Sequence, residues 1–369
     1  MVLFLPMPKE RIQWIDFCRV YTAFFVIVRH VDRWFDSTGP SLNYMADLFN
    51  YRSLIFFFFL MSGYFCRPAE PGQWLAWGRA RQLLWPYLFW TLFGMLIICL
   101  PEALNGHWGW LSLQNVAGQL GLTSWCYWNY TNVPLWFLRT LLLLSLISPL
   151  LQKMPLKVLA VMTLLCLAAS DVLCNVDGEA CESHHRQLCC SGCDSSLPYQ
   201  PHEQAWLPFR TYESVLALGF FCGGIALRRC CSMENMTDFL TRYAWLPVAG
   251  SLLLLFPVLT WCFYPPVQSA ALVSLGVLTI LSIGCLCRRY LPRVCRAVAA
   301  LGPASFFIYV THYLILLWLR YAVTGSMHGA LSREFCYVAP FLILGISLAL
   351  YAVLKKLFPR FMRVIALSK

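Results

Sequence analysis

The chain has 369 residues, of which 59% are hydrophobic and only 12% are charged. This composition excludes an ordinary soluble globular protein, because soluble domains typically have about 25% charged residues. Lysine and arginine outnumber aspartate and glutamate by 28 to 17, and we attribute the net charge of +11 to membrane topology and attraction to acidic lipid rather than to nucleic-acid binding.

Apolar stretches recur along the chain at a length of about 18 to 22 residues, which is what an α-helix needs to cross a bilayer. We therefore predict an all-α integral membrane protein with about ten transmembrane helices. Two prolines at Tyr264-Pro265-Pro266 favour a turn between the seventh and eighth spans. The predicted spans are residues 14–33, 50–66, 83–101, 133–151, 157–174, 207–227, 244–262, 268–287, 299–320 and 336–354.

Basic residues flank these spans unevenly. Nineteen of the lysines and arginines fall on one side of a ten-span arrangement, and six fall on the other side. Because positively charged loops are retained in the cytoplasm, this pattern predicts that both termini are cytoplasmic. The first residues include Lys9, Glu10 and Arg11 without a small-residue cleavage site after a short apolar core, so we expect no cleavable signal peptide.

The first span carries three ionisable residues on one helical stripe. Arg19 and His30 are eleven residues apart, and eleven steps of 100° return to nearly the same face of a helix, about 16 Å further along its axis. Asp16 falls close to the same stripe. Ionisable groups in a membrane span usually face a protein interior or a watery cavity. The stripe therefore indicates a site where a ligand extends from a cation toward an imidazole that accepts a proton.

Three arginines outside the first span are candidates for binding an anionic group. Arg79 and Arg81 precede the run Leu83-Leu84-Trp85-Pro86-Tyr87 at the predicted cytoplasmic side. Guanidinium groups bind phosphate bidentately, so the pair fits a phosphate clamp, although it also fits the ordinary positive charge of a cytoplasmic loop. Arg139 lies a few residues inside span 4, where it either extends outward to the interface or holds an anion or a carboxylate such as Asp16 or Asp32.

Two predicted outer loops have unusual compositions. Residues 102–132 are rich in tryptophan and tyrosine, which fits an interfacial aromatic belt or a platform for stacking sugar rings. Residues 175–206 combine cysteines and histidines, which fits a disulfide-tied lid, a metal site or unpaired thiols. An oxidising exterior favours disulfides over metal. These residues, together with Cys174 at the edge of the loop, are Cys181, Cys189, Cys190, Cys193, His184, His185 and His202.

Span 9 carries a second candidate pair. Tyr309 and His312 are three residues apart, so they share one face of a helix. Because spans 1 and 9 both enter from the cytoplasm in the ten-span arrangement, we expect His312 at a depth comparable to that of His30.

Taken in order, these residues resemble the acyltransferase 3 family of polytopic membrane acyltransferases, especially its short type represented by enterobacterial common antigen O-acetyltransferases. The resemblance extends from span 1 to span 9, so it predicts that residues 1–369 form one membrane domain with the Cys-rich loop 175–206 inside it. That loop and Cys18-Arg19-Val20, where the family often has Leu-Arg-Gly, are departures. The matching segments are Asp16, Arg19 and His30, Ser62-Gly63-Tyr64, the basic pair before Leu83-Leu84-Trp85-Pro86-Tyr87, Leu135-Trp136-Phe137-Leu138-Arg139 with Ser148-Pro149, and Ser305 through His312.

The resemblance implies an enzyme that takes an acyl group from acyl-CoA on the cytoplasmic side and transfers it to a hydroxyl of an extracytoplasmic glycan or lipid-linked sugar. Acetyl-CoA is the donor implied most often, as a substrate rather than a permanently bound cofactor. The protein is then expected in a bacterial inner or plasma membrane, in contact with membrane lipid and without nucleic acid. This chemistry requires no metal ion, and the sequence leaves the oligomeric state open.

Acyl transfer from a thioester needs a base for the attacking hydroxyl, a polarised carbonyl and a bound leaving group. We expect His30 to be the base, Asp16 to hold Arg19, and Tyr309 or His312 to donate to the oxyanion or orient the hydroxyl. Direct transfer and an acyl-His30 intermediate both remain open. The complete set is His30, Asp16, Tyr309 and His312 for catalysis and Arg19, Arg79, Arg81 and Arg139 for the donor.

Three other interpretations fit parts of the pattern. The first is transfer of a succinyl or longer acyl group to a non-glycan acceptor such as a lipid headgroup, a peptide or a small molecule. The second is a transporter of a glycan intermediate or small anion, although the two halves show no convincing internal repeat and the chain has no Walker-type phosphate loop. The third is a scaffold, which the three ionisable residues on one face of span 1 disfavour.

Overall fold

The computed structural model describes residues 12–32, 53–104, 134–190, 211–261, 270–325 and 332–367. In these ranges all regular structure is helical, which confirms the predicted all-α class, and a helix overlaps each of the ten predicted spans. The helices are α1 (Gln13–Asp32), α2 (Ser53–Tyr64), α3 (Trp77–Leu104), α4 (Leu135–Lys153), α5 (Leu156–Cys190), α6 (Thr211–Cys230), α7 (Met233–Tyr243), α8 (Trp245–Trp261), α9 (Ala270–Tyr290), α10 (Pro292–Ala299), α11 (Ser305–Thr324), α12 (Arg333–Leu357) and α13 (Pro359–Ile365), with a 3₁₀ turn at Gly302–Ala304 before α11.

Several of these helices are long and apolar enough to cross a membrane. Five qualify within the described ranges, and a sixth is added if α6 and α7 are counted as one span bent by 105°. One of the five, Pro292–Thr324, takes α10, the 3₁₀ turn and α11 together. The other four are Leu135–Lys153, Leu156–Leu173, Ala270–Tyr290 and Glu334–Leu357. The protein is therefore a multi-pass helical membrane protein.

Three short helices were not predicted from the sequence. α7, α10 and α13 each follow a membrane-length helix after a break of one or two residues. Ser232 begins α7 as its N-cap, with its hydroxyl accepting a hydrogen bond from the amide of Asn235 at 3.2 Å. Pro292 and Pro359 stand at the starts of α10 and α13, where the missing proline N–H costs no helical hydrogen bond.

Helix α1 lies at the centre of the bundle. It packs against α2, α9, α10, α11 and α12, so its ionisable stripe lies among other helices, with Asp16 buried and Arg19 and His30 partly exposed. Its contact with α9 is close at Gly284, because a methyl group there would overlap the sulfur of Cys18. The Cys18 thiol donates to the carbonyl oxygen of Ile280 on the same helix α9 at 3.3 Å.

The contact between α2 and α6 is closer still. A methyl group on Gly63 would overlap the carbonyl oxygen of Phe221, and a methyl group on Gly224 would overlap that of Leu60. Both clashes are with backbone, which cannot move aside as a flexible side chain does. The small residue at the end of the Phe-rich span thus allows the close helix approach expected of such residues in membranes.

The segment between α2 and α3 is fixed by side chains from other helices. Arg228, at the end of α6, donates to the carbonyl oxygen of Cys66. Gln152, at the end of α4, donates to the carbonyl of Arg67 and accepts from the amide of Ala69, each at 2.9 Å. The segment that leads into Arg79 and Arg81 is therefore held in one position. The sequence had assigned Arg228 only to topology.

Candidate functional site

Two histidines from distant parts of the chain meet beside α1. His30 lies near the end of α1 and His312 lies in the middle of α11, and the centroids of their rings are 5.1 Å apart. The ring of Tyr313 stands edge-on to His30 with a centroid distance of 5.4 Å. His312 is completely buried, whereas His30 is half-buried. A ligand reaching the more open His30 therefore meets a second imidazole directly behind it.

The hydrogen bonds of His312 define which of its nitrogens carries the proton. Nδ1 lies 2.7 Å from the carbonyl oxygen of Tyr309 and 3.3 Å from that of Ile308. Carbonyl oxygens only accept, so Nδ1 is the donor, and a neutral ring then has its acceptor lone pair on Nε2. Within the described ranges Nε2 has no hydrogen-bond partner although it is buried. Such an unsatisfied basic atom is costly in a structural role and fits a position reserved for a ligand.

Tyr309 is bound to the backbone just before α4. Its hydroxyl donates to the carbonyl oxygen of Pro134, just before α4, at 2.9 Å. Its ring packs edge-on against Phe137 at 5.3 Å and lies 5.9 Å from the ring of His312. Because this proton is committed to the backbone, donation to an oxyanion would require the bond to Pro134 to break. The geometry favours a residue that positions α4 and α11 around His312.

Aromatic residues from three motif segments form a wall next to the histidines. Phe58 and Phe59 of α2 contact Phe137 of α4 with ring distances of 5.7 and 4.9 Å. Phe58 also lies 6.3 Å from Tyr309 of α11. Segments that are far apart in the sequence thus converge on one wall of the bundle, which the sequence analysis did not predict.

Asp16 and Arg19 form the ion pair that their spacing predicts. The Arg19 Nη1 atom lies 3.2 Å from the Asp16 carboxylate, whose side chain is only 4% exposed, whereas the Arg19 side chain is 39% exposed. Asp16 also lies in the first turn of α1, where a carboxylate interacts favourably with the helix dipole. Asp16 therefore holds Arg19, whose side chain as a whole remains partly exposed.

The other three arginines are divided between two places. Arg79 is half-buried at the start of α3 and donates to the carbonyl of Ser62, the last turn of α2, at 3.4 Å, while Arg81 is exposed. Arg139 is half-buried on α4, the helix that packs against α3. The proposed carboxylate partner Asp32 has a side chain outside the described residues. The structure thus associates Arg139 with the α3–α4 pair.

For two segments with unusual composition, most side chains lie outside the described part of the chain. These are the aromatic segment 102–132 and the cysteines and histidines of 174–206. The backbone of α5 does continue as helix to Cys190, beyond the predicted span, but only Leu156–Leu173 is apolar enough to cross a membrane. The choice between disulfides, metal and free thiols therefore stays a prediction.

A pair of adjacent histidines, an ion-paired arginine on the same helix as His30 and a multi-pass helical bundle together describe a polytopic membrane protein with a polar site inside its membrane domain. The family Acyl_transf_3, described as an acyltransferase domain, matches residues 12–354. The chain therefore belongs to this acyltransferase family, as its motifs predicted, and the match covers nearly the whole sequence. No curated protein and no solved structure matches the chain.

Proposed function

We propose that the protein is a membrane O-acyltransferase that moves an acyl group, in the first place acetyl, from cytoplasmic acyl-CoA to a hydroxyl of an extracytoplasmic glycan or lipid-linked saccharide. The observation that carries this proposal is the pair formed by His30 and His312 within a chain that belongs to an acyltransferase family. Acyl transfer from a thioester to a hydroxyl needs a general base that is unprotonated near physiological pH, and imidazole is the side chain best suited to this role.

In the proposed reaction His30 is the general base. The acceptor oxygen attacks the thioester carbonyl while His30 takes the hydroxyl proton. A new C–O bond forms, the C–S bond breaks, and the proton passes from His30 to the departing CoA thiolate. An acyl-His30 intermediate is the alternative route, in which the same nitrogen attacks first.

His312 has the second role in this proposal. Its Nδ1 proton is bound to backbone carbonyls, so in the neutral ring Nε2 is an acceptor that cannot donate to an oxyanion. Nε2 can accept a hydrogen bond from a ligand group other than the reacting hydroxyl, whose single proton goes to His30. The bond of Tyr309 to Pro134 supports a positioning role for that tyrosine, which fixes the helix carrying His312 against the start of α4.

The arginines serve the donor. Arg19 has an exposed part while Asp16 holds it, and Arg79 and Arg81 stand at the start of α3 beyond the fixed segment after α2. Guanidinium groups of this kind suit the phosphates of CoA. The pantetheine arm would then extend along α1 toward His30, about 16 Å from Arg19 at the helical rise. Arg139 lies between α3 and α4 as a further donor contact.

The proposed topology has ten spans with both termini in the cytoplasm, in a bacterial inner or plasma membrane. Helices α6, α9 and α12 each end in a pair of basic residues, namely Arg228 and Arg229, Arg288 and Arg289, and Lys355 and Lys356. In a ten-span arrangement all three ends lie on the same side, which supports a cytoplasmic location for them.

The proposal is tested with detergent-purified protein and radiolabelled acetyl-CoA. Release of free thiol and transfer of label to candidate glycans are measured for wild type, His30→Ala and His312→Ala, with Tyr351→Phe, a buried ring change on α12, as the matched control. We expect transfer by wild type and the control and none by His30→Ala. A parallel panel of succinyl-CoA and longer acyl-CoA donors identifies the acyl group.

Two results would contradict the proposal. Undiminished transfer by folded His30→Ala would remove the proposed base. Failure of folded wild-type protein to bind or cleave any acyl-CoA would remove the donor, and counterflow of labelled glycan or anion in vesicles would then support the transporter.

A further inference from the structure

A cavity of about 660 Å³ lies between α3, α11 and α12, with α13 closing one end. This volume is within the range of about 300 to 1,000 Å³ that is typical of ligand sites. The lining on α11 extends from Phe307 to Ala322, which is about 22 Å along the helix axis. His30 and His312 are not among the lining residues, so the groove is separate from the histidine site.

The lining of this groove is apolar. Its one hydroxyl, on Thr311, donates to the carbonyl of Phe307 within α11 at 2.8 Å, and the indole N–H of Trp90 donates to the carbonyl of Ile365 at 2.9 Å. These two polar groups are thus already bound. A ligand with amides along its length, such as the pantetheine arm of CoA, would have its polar groups unsatisfied here, whereas an alkyl chain would not.

The groove opens sideways along the bundle. Phe93, Trp318 and Leu350 line it and remain 36%, 43% and 42% exposed, respectively. Trp318 and Leu350 lie on helices that are long and apolar enough to cross a membrane, which favours an opening toward the hydrocarbon of the bilayer rather than toward water. The length of about 22 Å along α11 covers most of a hydrocarbon core about 30 Å thick.

One end of the groove is strongly basic. Leu354 and Phe361 line the end that α13 closes, and the exposed cations next to them in the sequence are Lys355, Lys356, Arg360 and Arg363. Residues 335–369 contain no aspartate or glutamate, so no acidic residue in this segment opposes this charge. Helix α13 is fixed to α3 through the bond from Trp90 and through a ring contact of 5.2 Å between Phe89 and Phe361.

We propose that this groove binds one anionic phospholipid, with an acyl chain along α11 and the phosphate among the basic residues at the α13 end. The apolar lining selects an alkyl chain, and the cluster of exposed cations selects a negatively charged headgroup. This site is independent of the proposed acyl transfer, because none of its residues belongs to the candidate catalytic or donor-binding set.

The test uses the full-length protein, delipidated in a neutral detergent. Binding of dioleoyl phosphatidylglycerol and dioleoyl phosphatidylcholine is measured by native mass spectrometry and by the shift in thermal unfolding midpoint. We expect one saturable phosphatidylglycerol molecule that phosphatidylcholine displaces poorly. In the variant Lys356→Gln/Arg360→Gln/Arg363→Gln, the affinity for phosphatidylglycerol is expected to fall about fivefold for each charge removed at low salt, with phosphatidylcholine unaffected.

A second pair of variants tests the groove itself. Leu350→Trp fills the groove, whereas Val353→Trp places the same side chain on α12 at a residue that is 52% exposed and outside the groove. We expect Leu350→Trp to lose phosphatidylglycerol and Val353→Trp to retain it. Because the charge variants alter only exposed side chains, they decide the question even if Leu350→Trp does not fold.

Three outcomes would overturn the proposal. The first is that wild type binds the two lipids equally well. The second is that Leu350→Trp and Val353→Trp, when both are folded, retain phosphatidylglycerol equally. The third is stoichiometric displacement of the lipid by acetyl-CoA, which would assign the groove to the donor. Acyl transfer by lipid-free protein would contradict none of this, since catalysis and lipid binding are separate properties.

Discussion

Replacing Tyr309 with phenylalanine separates a positioning role from a catalytic one. The change removes one hydroxyl and leaves the carbonyl of the buried Pro134 without that donor. Loss of a hydrogen bond to a buried group costs about 1–3 kcal/mol of unfolding free energy. By contrast, removal of an oxyanion donor lowers kcat by about 10²–10³-fold without a required loss of stability. The two roles therefore predict opposite patterns.

We expect Tyr309→Phe to lose about 1–3 kcal/mol of stability and to retain kcat within about tenfold of wild type. Stability is measured by denaturant or thermal unfolding in detergent, and kcat is measured with acetyl-CoA and the acceptor identified for wild type. Tyr351→Phe is the control, because its hydroxyl is bonded to the exposed ammonium of Lys355 at 3.3 Å rather than to a buried carbonyl. A variant as stable as wild type but with kcat reduced several hundred-fold would refute this reasoning and return Tyr309 to the oxyanion role.

Three further predictions concern the ion pair, the helix contact and the base. Asp16→Asn is expected to raise KM for acetyl-CoA several-fold with little change in kcat, since Asp16 only holds an arginine that is proposed to bind the donor. A fall in kcat as large as the rise in KM would contradict this. Gly63→Ala is expected to lose about 1–3 kcal/mol of stability because its methyl group meets backbone, whereas Gly345→Ala, where space is open on α12, should be neutral or stabilising in thermal unfolding. His30→Gln should abolish transfer with an unchanged unfolding midpoint, and residual activity near that of wild type would exclude general-base catalysis by this residue.

The features read correctly from the sequence are those that depend on short spacings along one helix. The three-residue spacing of Asp16 and Arg19 specifies an i,i+3 contact in any α-helix, and the structure has the ion pair at 3.2 Å. The apolar lengths likewise specify helices, because a backbone in hydrocarbon must satisfy its own hydrogen bonds.

The features that were missed depend on contacts between distant segments. Nothing local relates Tyr309 to Pro134, which lies 175 residues earlier, so the bond between them could not be predicted from the sequence. The short helices α7, α10 and α13 were missed because a search for long apolar runs passes over segments of mixed polarity. The role of Arg228 was missed because a basic residue at a helix end also fits topology alone.

The bonds from Arg228 to Cys66 and from Gln152 to Arg67 and Ala69 have a consequence for how activity depends on pH. A guanidinium group stays charged and an amide stays neutral throughout the range in which imidazole gains or loses its proton. The segment before α3 is therefore held by groups that do not titrate in this range, and the proposed donor entrance keeps its shape while the histidines change charge. A pH profile of acyl transfer should consequently describe the histidine site alone, without a contribution from opening or closing of this segment.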